Sequence, residues 1–143
     1  MNVQLATSDT DIARAAEVLL ELRPQYDHAA LVAQIRKQQD TSGYHLAFVE
    51  LDGEVACVAG FVLSEKLAWG RHLYVDDLVT RESLRSRGAG AAMIDWLKHH
   101  AVEQGCRELH LDSGMHRKDA HRFYDREGFD RASLHFSISR LDS

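Results

Sequence analysis

The stretch "RSRGAG", Arg85 to Gly90, places two arginines and two glycines directly before a segment with helical spacing. The first N–H groups of a helix have no partner within it, and the helix macrodipole adds partial positive charge at that end. Glycine at positions 88 and 90 removes the Cβ atoms that would keep a ligand away from those amides, and the arginines add fixed positive charge. These residue types in this order predict a site for a pyrophosphate.

A plainer interpretation of the same loop is a tight turn with solvated arginines, since short glycine motifs often match by chance. Two familiar phosphate motifs do not fit. A P-loop needs Gly-Lys-Ser/Thr after its turn, which is absent here. A dinucleotide-binding turn follows the first strand of a βαβ unit and has a third glycine, whereas this turn follows a run of strand-like segments and lacks that glycine.

Hydrophobic spacing around the loop predicts a mixed α/β sheet with helices on its faces, in the order β-α-α-β-β-β-α-β-α-β. Asp52-Gly53 lies between two strand-like runs and predicts a tight hairpin. The predicted strands are Asn2–Ala6, Tyr44–Leu51, Glu54–Ser64, His72–Thr80, Cys106–Ser113 and Arg131–Leu141, and the predicted helices are Asp11–Arg23, Ala29–Gln39, a segment from the glycine loop to about Gln104, and Asp119–Phe129.

The composition predicts one cytoplasmic domain spanning residues 1–143. The formal net charge of −5 argues against a protein that grips phosphate backbones, so no nucleic-acid partner is expected. The sequence has neither a signal-peptide pattern nor a run of about 20 apolar residues, so no membrane partner is expected. Cys57 and Cys106 lack a metal or redox spacing and are expected to stay reduced.

Two motifs together resemble the GNAT superfamily of N-acyltransferases. The family's acyl-CoA loop follows Arg/Gln-x-x-Gly-x-Gly/Ala, and Arg85 to Gly90 match it. Downstream, "DAHRFYDREGF" is similar to the family pattern Ala-x-x-Phe-Tyr-x-x-x-Gly-Phe. The resemblance covers essentially the whole chain and implies a GNAT fold. One departure is Arg117, where many members have an asparagine that helps to hold the pantetheine.

The resemblance implies acetyl-CoA as cosubstrate and indicates which residues bind it. Backbone amides of the loop would hold the pyrophosphate, Leu78 and Val79 at the splayed end of the fourth strand would pair with the pantetheine, and His121 would lie near CoA. The loop residues are Arg85, Ser86, Arg87, Gly88, Ala89, Gly90 and Ala91.

Asp76 and Asp77 are the candidates for the base that acetyl transfer to an amine requires. An alkylamine has a pKa of about 10, so it arrives as an ammonium ion and must lose a proton before it attacks a thioester. Adjacent strand residues point to opposite faces, so only one of the two is expected to face the cleft. Asp76 acting through a water, with Asp77 serving substrate or structure, is the favoured assignment. The reverse assignment stays open, as does a purely structural role for both.

Tyr124 is implied by the resemblance as the acid that protonates the departing thiolate. An ordinary tyrosine has a pKa of about 10 and a thiol about 8.5, so this transfer is only mildly uphill. Packing beside Phe123 is the alternative role. An N–H near Val79 would meet the oxyanion. No metal is expected, because His116 and His121 are five residues apart rather than at the i, i+4 spacing of a helical zinc site.

The sequence therefore predicts an enzyme that moves acetyl from acetyl-CoA to a primary amine of a small molecule. A non-catalytic acyl-CoA-binding or sensing module, and a protein lysine or N-terminal acetyltransferase, are the alternatives. Segments such as "HRKDAHRFYDREGF" also look like the aminoalkylphosphonate N-acetyltransferase subgroup, with Arg71, Arg117 or Lys118 as sources of positive charge. A polyamine would suit Asp76 and Asp77 better. The last strand could pair with a second copy, so a homodimer is one expected assembly.

Overall fold

The computed structural model describes residues 1–142 and contains a five-stranded mixed sheet and four α-helices. The predicted α/β class and nearly all of the predicted element order are confirmed. The strands are β1 (Val3–Leu5), β2 (Tyr44–Leu51), β3 (Glu54–Lys66), β4 (Gly70–Thr80) and β5 (Glu108–Leu111). The helices are α1 (Asp9–Leu19), α2 (His28–Ser42), α3 (Ala89–Glu103) and α4 (Lys118–Arg126), and a 3-10 turn, Glu82–Leu84, precedes α3.

The chain is organised in two compact units. The first, Met1–Leu111, holds the whole sheet with α1, α2 and α3, and the second begins at Asp112 and holds α4. The single domain over residues 1–143 stays a prediction. No helix among residues 1–142 combines the length and the apolar character that a membrane crossing requires.

The strands follow the order β1-β2-β3-β4-β5, with antiparallel pairing throughout except between β4 and β5, which run parallel. The parallel pairing joins His72–Val75 to Glu108–Leu111. Within the first unit, β4 therefore extends past β5, and its last residues, 77 to 80, have ladder partners in β3 alone.

Side-chain caps and a tight turn fix where the elements begin and end. The Ser8 hydroxyl accepts a hydrogen bond from the Asp11 N–H at the start of α1, and the Asp27 carboxylate does the same for the Ala30 N–H at the start of α2. Asp52 and Gly53 have φ angles of 52° and 81°, as a two-residue hairpin turn with two left-handed positions requires. The predicted hairpin between β2 and β3 is confirmed.

Helices cover both faces of the sheet. α1 and α2 bury Ile12, Leu19 and Ile35 against a face that includes Phe48 and Val58. Phe61 points to the other face because side chains alternate along β3, and there its ring meets the rings of Trp96 and His100 from α3.

One element of the predicted order is corrected. Residues 131–141 form no strand in the described part of the chain. Leu134, Phe136 and Ile138 alternate as predicted, but they are 72%, 87% and 79% exposed. Alternation describes only which side chains share a face, whereas a strand also needs a backbone ladder, and this segment forms none.

Candidate functional site

A β-bulge interrupts the ladder between β3 and β4 at Asp76. Gly60 pairs with Asp77 and Phe61 with Val75, so Asp76 is an extra residue without a partner in β3. A bulge breaks the strict alternation of side chains and can bring two consecutive residues to one side of the sheet.

Asp76 and Asp77 both line the same cavity, which has a volume of about 230 Å³. The prediction that only one of them faces the cleft is therefore wrong, and the bulge is the physical reason. The cavity lies between α1, the turn that follows it, α2, and the strands β2 and β4. Its remaining lining residues are Leu19, Arg23, Gln25, Tyr26, Leu31, Gln34, Ile35, Gln38 and Tyr44.

Two donors hold the carboxylate of Asp77. The Tyr44 hydroxyl donates to Oδ2 at 2.7 Å. Arg23 reaches the other oxygen, with its Nε 2.8 Å and its Nη2 2.7 Å from Oδ1. The same Nη2 donates to the backbone carbonyl of Asp76 at 3.1 Å. Arg23 thereby ties the turn after α1 to both residues of the bulge.

Tyr44 reaches Asp77 by crossing β3 at Gly60. A Cβ built on Gly60 would overlap the hydroxyl and the ring of Tyr44. Burial first, and then the negative charge of Asp77, raise the pKa of the Tyr44 phenol far above its ordinary value, so the phenol stays protonated and acts as a donor.

Asp76 differs from its neighbour because its carboxylate makes no hydrogen bond or ion pair in the described structure. Burial raises the pKa of this carboxyl above its usual range, the charge of Asp77 raises it further, and Arg23 partly opposes both effects. Two adjacent carboxylates in one cavity thus differ in their surroundings: the carboxylate of Asp77 is held by two donors, and that of Asp76 is open.

Four further residues that line the cavity are not predictable from the sequence, because nothing in their local spacing marks them as functional: Arg23, Tyr44, Gln34 and Gln38. α2 presents the two glutamines one turn apart, and Gln34 Nε2 donates to Gln38 Oε1 at 2.9 Å. Gly60 did carry a signal. An isolated glycine within an apolar strand indicates a bulge or the close approach of another group, and here it marks both.

The glycine loop leads into α3 without a side-chain cap. Gly88 is the N-cap residue, with a left-handed φ of 88°, and no side chain within residues 1–142 caps the first-turn N–H groups. Ser86 is also left-handed, with a φ of 62°. Arg87 forms an exposed ion pair with Asp52 in the β2–β3 turn, at 3.1 Å. Open amides beside basic side chains suit an anion, as the sequence predicts.

Leu78 and Val79 lie in the part of β4 that extends past β5 in the first unit. The loop that follows is anchored to neighbouring elements. The Arg81 N–H donates to the Ala56 carbonyl at 2.7 Å, and the Glu82 N–H donates to the carboxylate of Glu21, in the turn after α1, at 2.9 Å. These contacts fix the path of the chain from the bulge to the glycine loop.

Tyr124 and His121 both lie on α4 in the second unit. The ring of Tyr124 contacts those of Phe123 and Phe129, with centroids 5.4 and 5.7 Å apart. His121 Nε2 lies 2.8 Å from the Gly114 carbonyl, while its Nδ1 is buried without a hydrogen-bond partner among the described residues. A buried polar atom of this kind costs free energy until a ligand or water pairs with it.

No three His, Cys, Asp or Glu side chains within residues 1–142 are grouped in a way that could hold a metal ion. The expectation that the reaction needs no metal stays a prediction. Arg71, named as a source of positive charge for a phosphonate, does not line the cavity, and its Nε donates to the Gln104 carbonyl at 2.7 Å.

The acetyltransferase (GNAT) family model matches residues 11–129, a span that includes the bulge, the glycine loop and α4. The chain therefore belongs to the GNAT family of acetyltransferases, and the predicted acetyl-CoA-dependent N-acetyltransferase is confirmed at the level of the family.

Individual acetyltransferases are also similar to this chain in sequence or in fold. The chain is 29% identical over 130 residues to the uncharacterized N-acetyltransferase YhdJ of Bacillus subtilis (strain 168), which covers 90% of this chain and 92% of that protein. A shorter match of 30% over 63 residues, 44% of this chain and 41% of the relative, links it to an aminoalkylphosphonate N-acetyltransferase of Salmonella typhimurium (strain LT2). Its fold is similar to that of the aminoglycoside N-acetyltransferase AAC(6')-Iy, solved with the bisubstrate analog CoA-S-monomethyl-acetylneamine, with a TM-score of 0.82, 15% identity and 97% of each chain covered.

Proposed function

We propose that this protein transfers the acetyl group of acetyl-CoA to the primary amine of a small molecule by direct attack, with both substrates bound at once. The observation that carries the proposal is the pair of carboxylates at the β4 bulge, where Asp77 is held by two donors and Asp76 is open. Family membership supports the acetyl donor, and the solved complex of a similar fold with a CoA conjugate supports a ternary arrangement.

Asp76 is the base in this proposal. An ammonium ion with a pKa of about 10 must give up a proton, and a carboxylate with a raised pKa accepts it more readily than an ordinary one. The acceptor oxygens of Asp76 are not engaged by other groups in the described structure, so they are available to the amine or to a water bound to it.

Asp77 supports the base without taking the proton itself. Its two oxygens accept hydrogen bonds from Tyr44 and Arg23, which hold the carboxylate in place. Its charge makes Asp76 more basic and attracts a cationic acceptor. Arg23 and Tyr44 act on the reaction through Asp77 and are positioning residues.

The bond changes balance without a covalent intermediate on the protein. The ammonium group gives one proton to Asp76, and the neutral amine nitrogen then forms a bond to the thioester carbonyl carbon and gives up a second proton to water. A backbone N–H near Val79 stabilises the oxyanion. The C–S bond then breaks, and Tyr124 gives a proton to the thiolate sulfur. Exchange of protons with water restores the two residues.

Acetyl-CoA binding is assigned to three elements. The N–H groups from Arg85 to Ala91 face the pyrophosphate, supported by the uncapped start of α3. Leu78 and Val79 pair with the pantetheine, supported by the extension of β4 past β5. His121 approaches CoA, supported by its unpaired buried Nδ1.

Location and assembly stay predictions. The cytoplasm remains the expected compartment, and a homodimer the expected assembly. The apolar and exposed side chains of the C-terminal segment, among them Phe136 and Ile138, support association with a second copy. Light scattering coupled to size-exclusion chromatography would measure the molar mass in solution, and a mass of one chain would contradict the dimer.

The test of the function is acetyl-CoA turnover, followed as release of free thiol in the presence of a panel of small amines. Asp76→Asn should lower kcat by roughly 10²- to 10⁴-fold, the usual contribution of a general base. Asp40→Asn is the matched control, because Asp40 is exposed on α2 and its side chain makes no hydrogen bond or ion pair among the described residues. Tight CoA binding without thiol release from any amine would instead indicate an acyl-CoA-binding module.

A further inference from the structure

We propose that the acceptor is a small amine with a single positive charge whose other polar groups are neutral hydroxyls or amides, and that Gln34 and Gln38 select it. This inference rests on the proposed function, because it assigns the occupant of the cavity beside Asp76.

The charges that line the cavity favour one cation. Among the lining residues, Arg23 carries a positive charge and Asp76 and Asp77 carry negative charges, which leaves one negative charge uncompensated. A single ammonium group on the acceptor compensates it. A second ammonium would find no further carboxylate, since Asp77 is already paired with Arg23.

An anionic acceptor is disfavoured on the same ground. Arg23 is the only lysine or arginine among the lining residues, and its Nε and Nη2 are already used by Asp77 and the Asp76 carbonyl. A phosphonate or carboxylate on the acceptor would therefore meet two carboxylates without a cation of its own. The cavity would not compensate the free energy of hydration that the anionic group loses on binding.

The rest of the polar lining is neutral and suits a hydroxyl. Gln34 and Gln38 lie on the cavity side of α2 and share one hydrogen bond, which leaves the carbonyl oxygen of Gln34 and the amide N–H groups of Gln38 available. A hydroxyl or an amide of the substrate can donate a hydrogen bond to the Gln34 carbonyl oxygen and accept one from the Gln38 amide.

The size of the cavity indicates a small acceptor. Its volume of about 230 Å³ lies below the range of roughly 300–1,000 Å³ that is typical for drug-sized ligands. The apolar side chains of Leu31 and Ile35 lie on the same helix as the two glutamines, so a short carbon chain can run between the amine and the polar group.

Three amines with the same three-carbon chain test the inference: 3-amino-1-propanol, 3-aminopropylphosphonate and 1,3-diaminopropane, which end in a neutral, an anionic and a cationic group. Thiol release from acetyl-CoA is measured for each. The wild-type protein should have its highest kcat/KM for the aminopropanol, by about tenfold or more, because the anionic and the cationic end groups both lack a partner of opposite charge in the cavity. A tenfold difference in kcat/KM corresponds to about 1.4 kcal/mol in activation free energy.

Variants of Gln38 should change the preference in opposite directions. Gln38→Glu adds a negative charge and should raise the ratio of kcat/KM for diaminopropane to that for aminopropanol about tenfold. Gln38→Lys adds a positive charge and should raise the ratio of kcat/KM for the phosphonate to that for aminopropanol about tenfold. The matched controls are Gln39→Glu and Gln39→Lys. Gln39 is the next residue on α2, accepts a hydrogen bond from Arg36 and does not line the cavity, so these variants should keep the wild-type preference.

The outcomes separate the two proposals. Thiol release with no amine of this series or of the wider panel would overturn the proposed function and this inference with it. Thiol release that is fastest with the phosphonate or the diamine would overturn the inference alone. The same would follow if the Gln38 and Gln39 variants shifted the preference equally.

Discussion

Tyr44 and Gly60 share one space: the tyrosine side chain lies where a Cβ of residue 60 would be. Through this gap the phenol reaches across β3 and donates to Asp77 at 2.7 Å. The absence of a side chain at one position in the sheet thus allows a partly buried hydrogen bond to form beside the catalytic carboxylate proposed here, Asp76.

Gly60→Ala should therefore destabilise the protein by about 1–3 kcal/mol, the usual cost of overfilling a packed region. Urea unfolding at neutral pH would measure the change. When Tyr44 is first replaced by alanine, the further change Gly60→Ala should lower the free energy of unfolding much less than it does in the wild-type protein. Equal costs in both backgrounds would mean that the clash with Tyr44 is not the cause.

Tyr44→Phe should lower the free energy of unfolding by about 1.5–3 kcal/mol, because it removes a hydrogen bond to a charged group and leaves Arg23 as the only side-chain donor to Asp77 among the described residues. Tyr26→Phe is the matched stability control, since Tyr26 also lines the cavity and its hydroxyl makes no hydrogen bond among the described residues. A similar loss of stability in both variants would mean that the effect comes from removing a tyrosine hydroxyl beside the cavity and not from losing the hydrogen bond to Asp77.

The pH dependence of kcat should report the coupling between the two carboxylates. Burial and the charge of Asp77 raise the pKa of Asp76, so the ionised base should be lost on acidification at a pH above the value of about 3.9 for an ordinary aspartate. Asp77→Asn removes the like charge and should move the acid limb to lower pH. A limb that stays in place in Asp77→Asn would contradict the coupling.

Gly88→Ala should weaken CoA binding and lower stability by about 1–2 kcal/mol, because a residue with a Cβ is strained at a φ of 88°. Gly88→Asn separates the two effects, since asparagine tolerates the left-handed region better but still places a side chain beside the open amides of α3. Calorimetric titration with CoA and urea unfolding measure each part. Unchanged CoA affinity in both variants would mean that the start of α3 does not bind CoA.

Tyr124→Phe should lower kcat by roughly 10²-fold or more while the dissociation constant of acetyl-CoA stays close to that of the wild type, as expected of a group that donates a proton to the leaving thiolate. The phenylalanine keeps the ring contacts with Phe123 and Phe129. Phe123→Leu on the same helix is a control for packing. Turnover unaffected by the loss of the hydroxyl would take Tyr124 out of the mechanism.

Local patterns were sufficient to predict most of the fold. Ser8, Asp27 and the Asp52-Gly53 turn act within a few residues of their own position, so the sequence predicts their effects directly. The final strand was not predicted correctly, because strand formation depends on a ladder partner that alternation does not reveal.

The candidate site was predictable only where it depends on neighbours in sequence. The glycine loop and the Asp76-Asp77 pair are each one continuous stretch. Arg23 and Tyr44 lie 54 and 33 positions away from Asp77 and reach it through the packing of other elements. The bulge that brings both carboxylates to one cavity is a property of the register between two strands, which neither strand reveals by itself.

Asp76 is one residue more than the ladder between β3 and β4 requires. Deleting that single residue would join Val75 to Asp77 and restore a regular pairing with Phe61 and Gly60. Such a chain would retain its core and its turns, and in our proposal it would have lost its base. On this proposal one codon separates a regular strand from a catalytic one, so insertions and deletions, as well as substitutions, can change this activity during evolution.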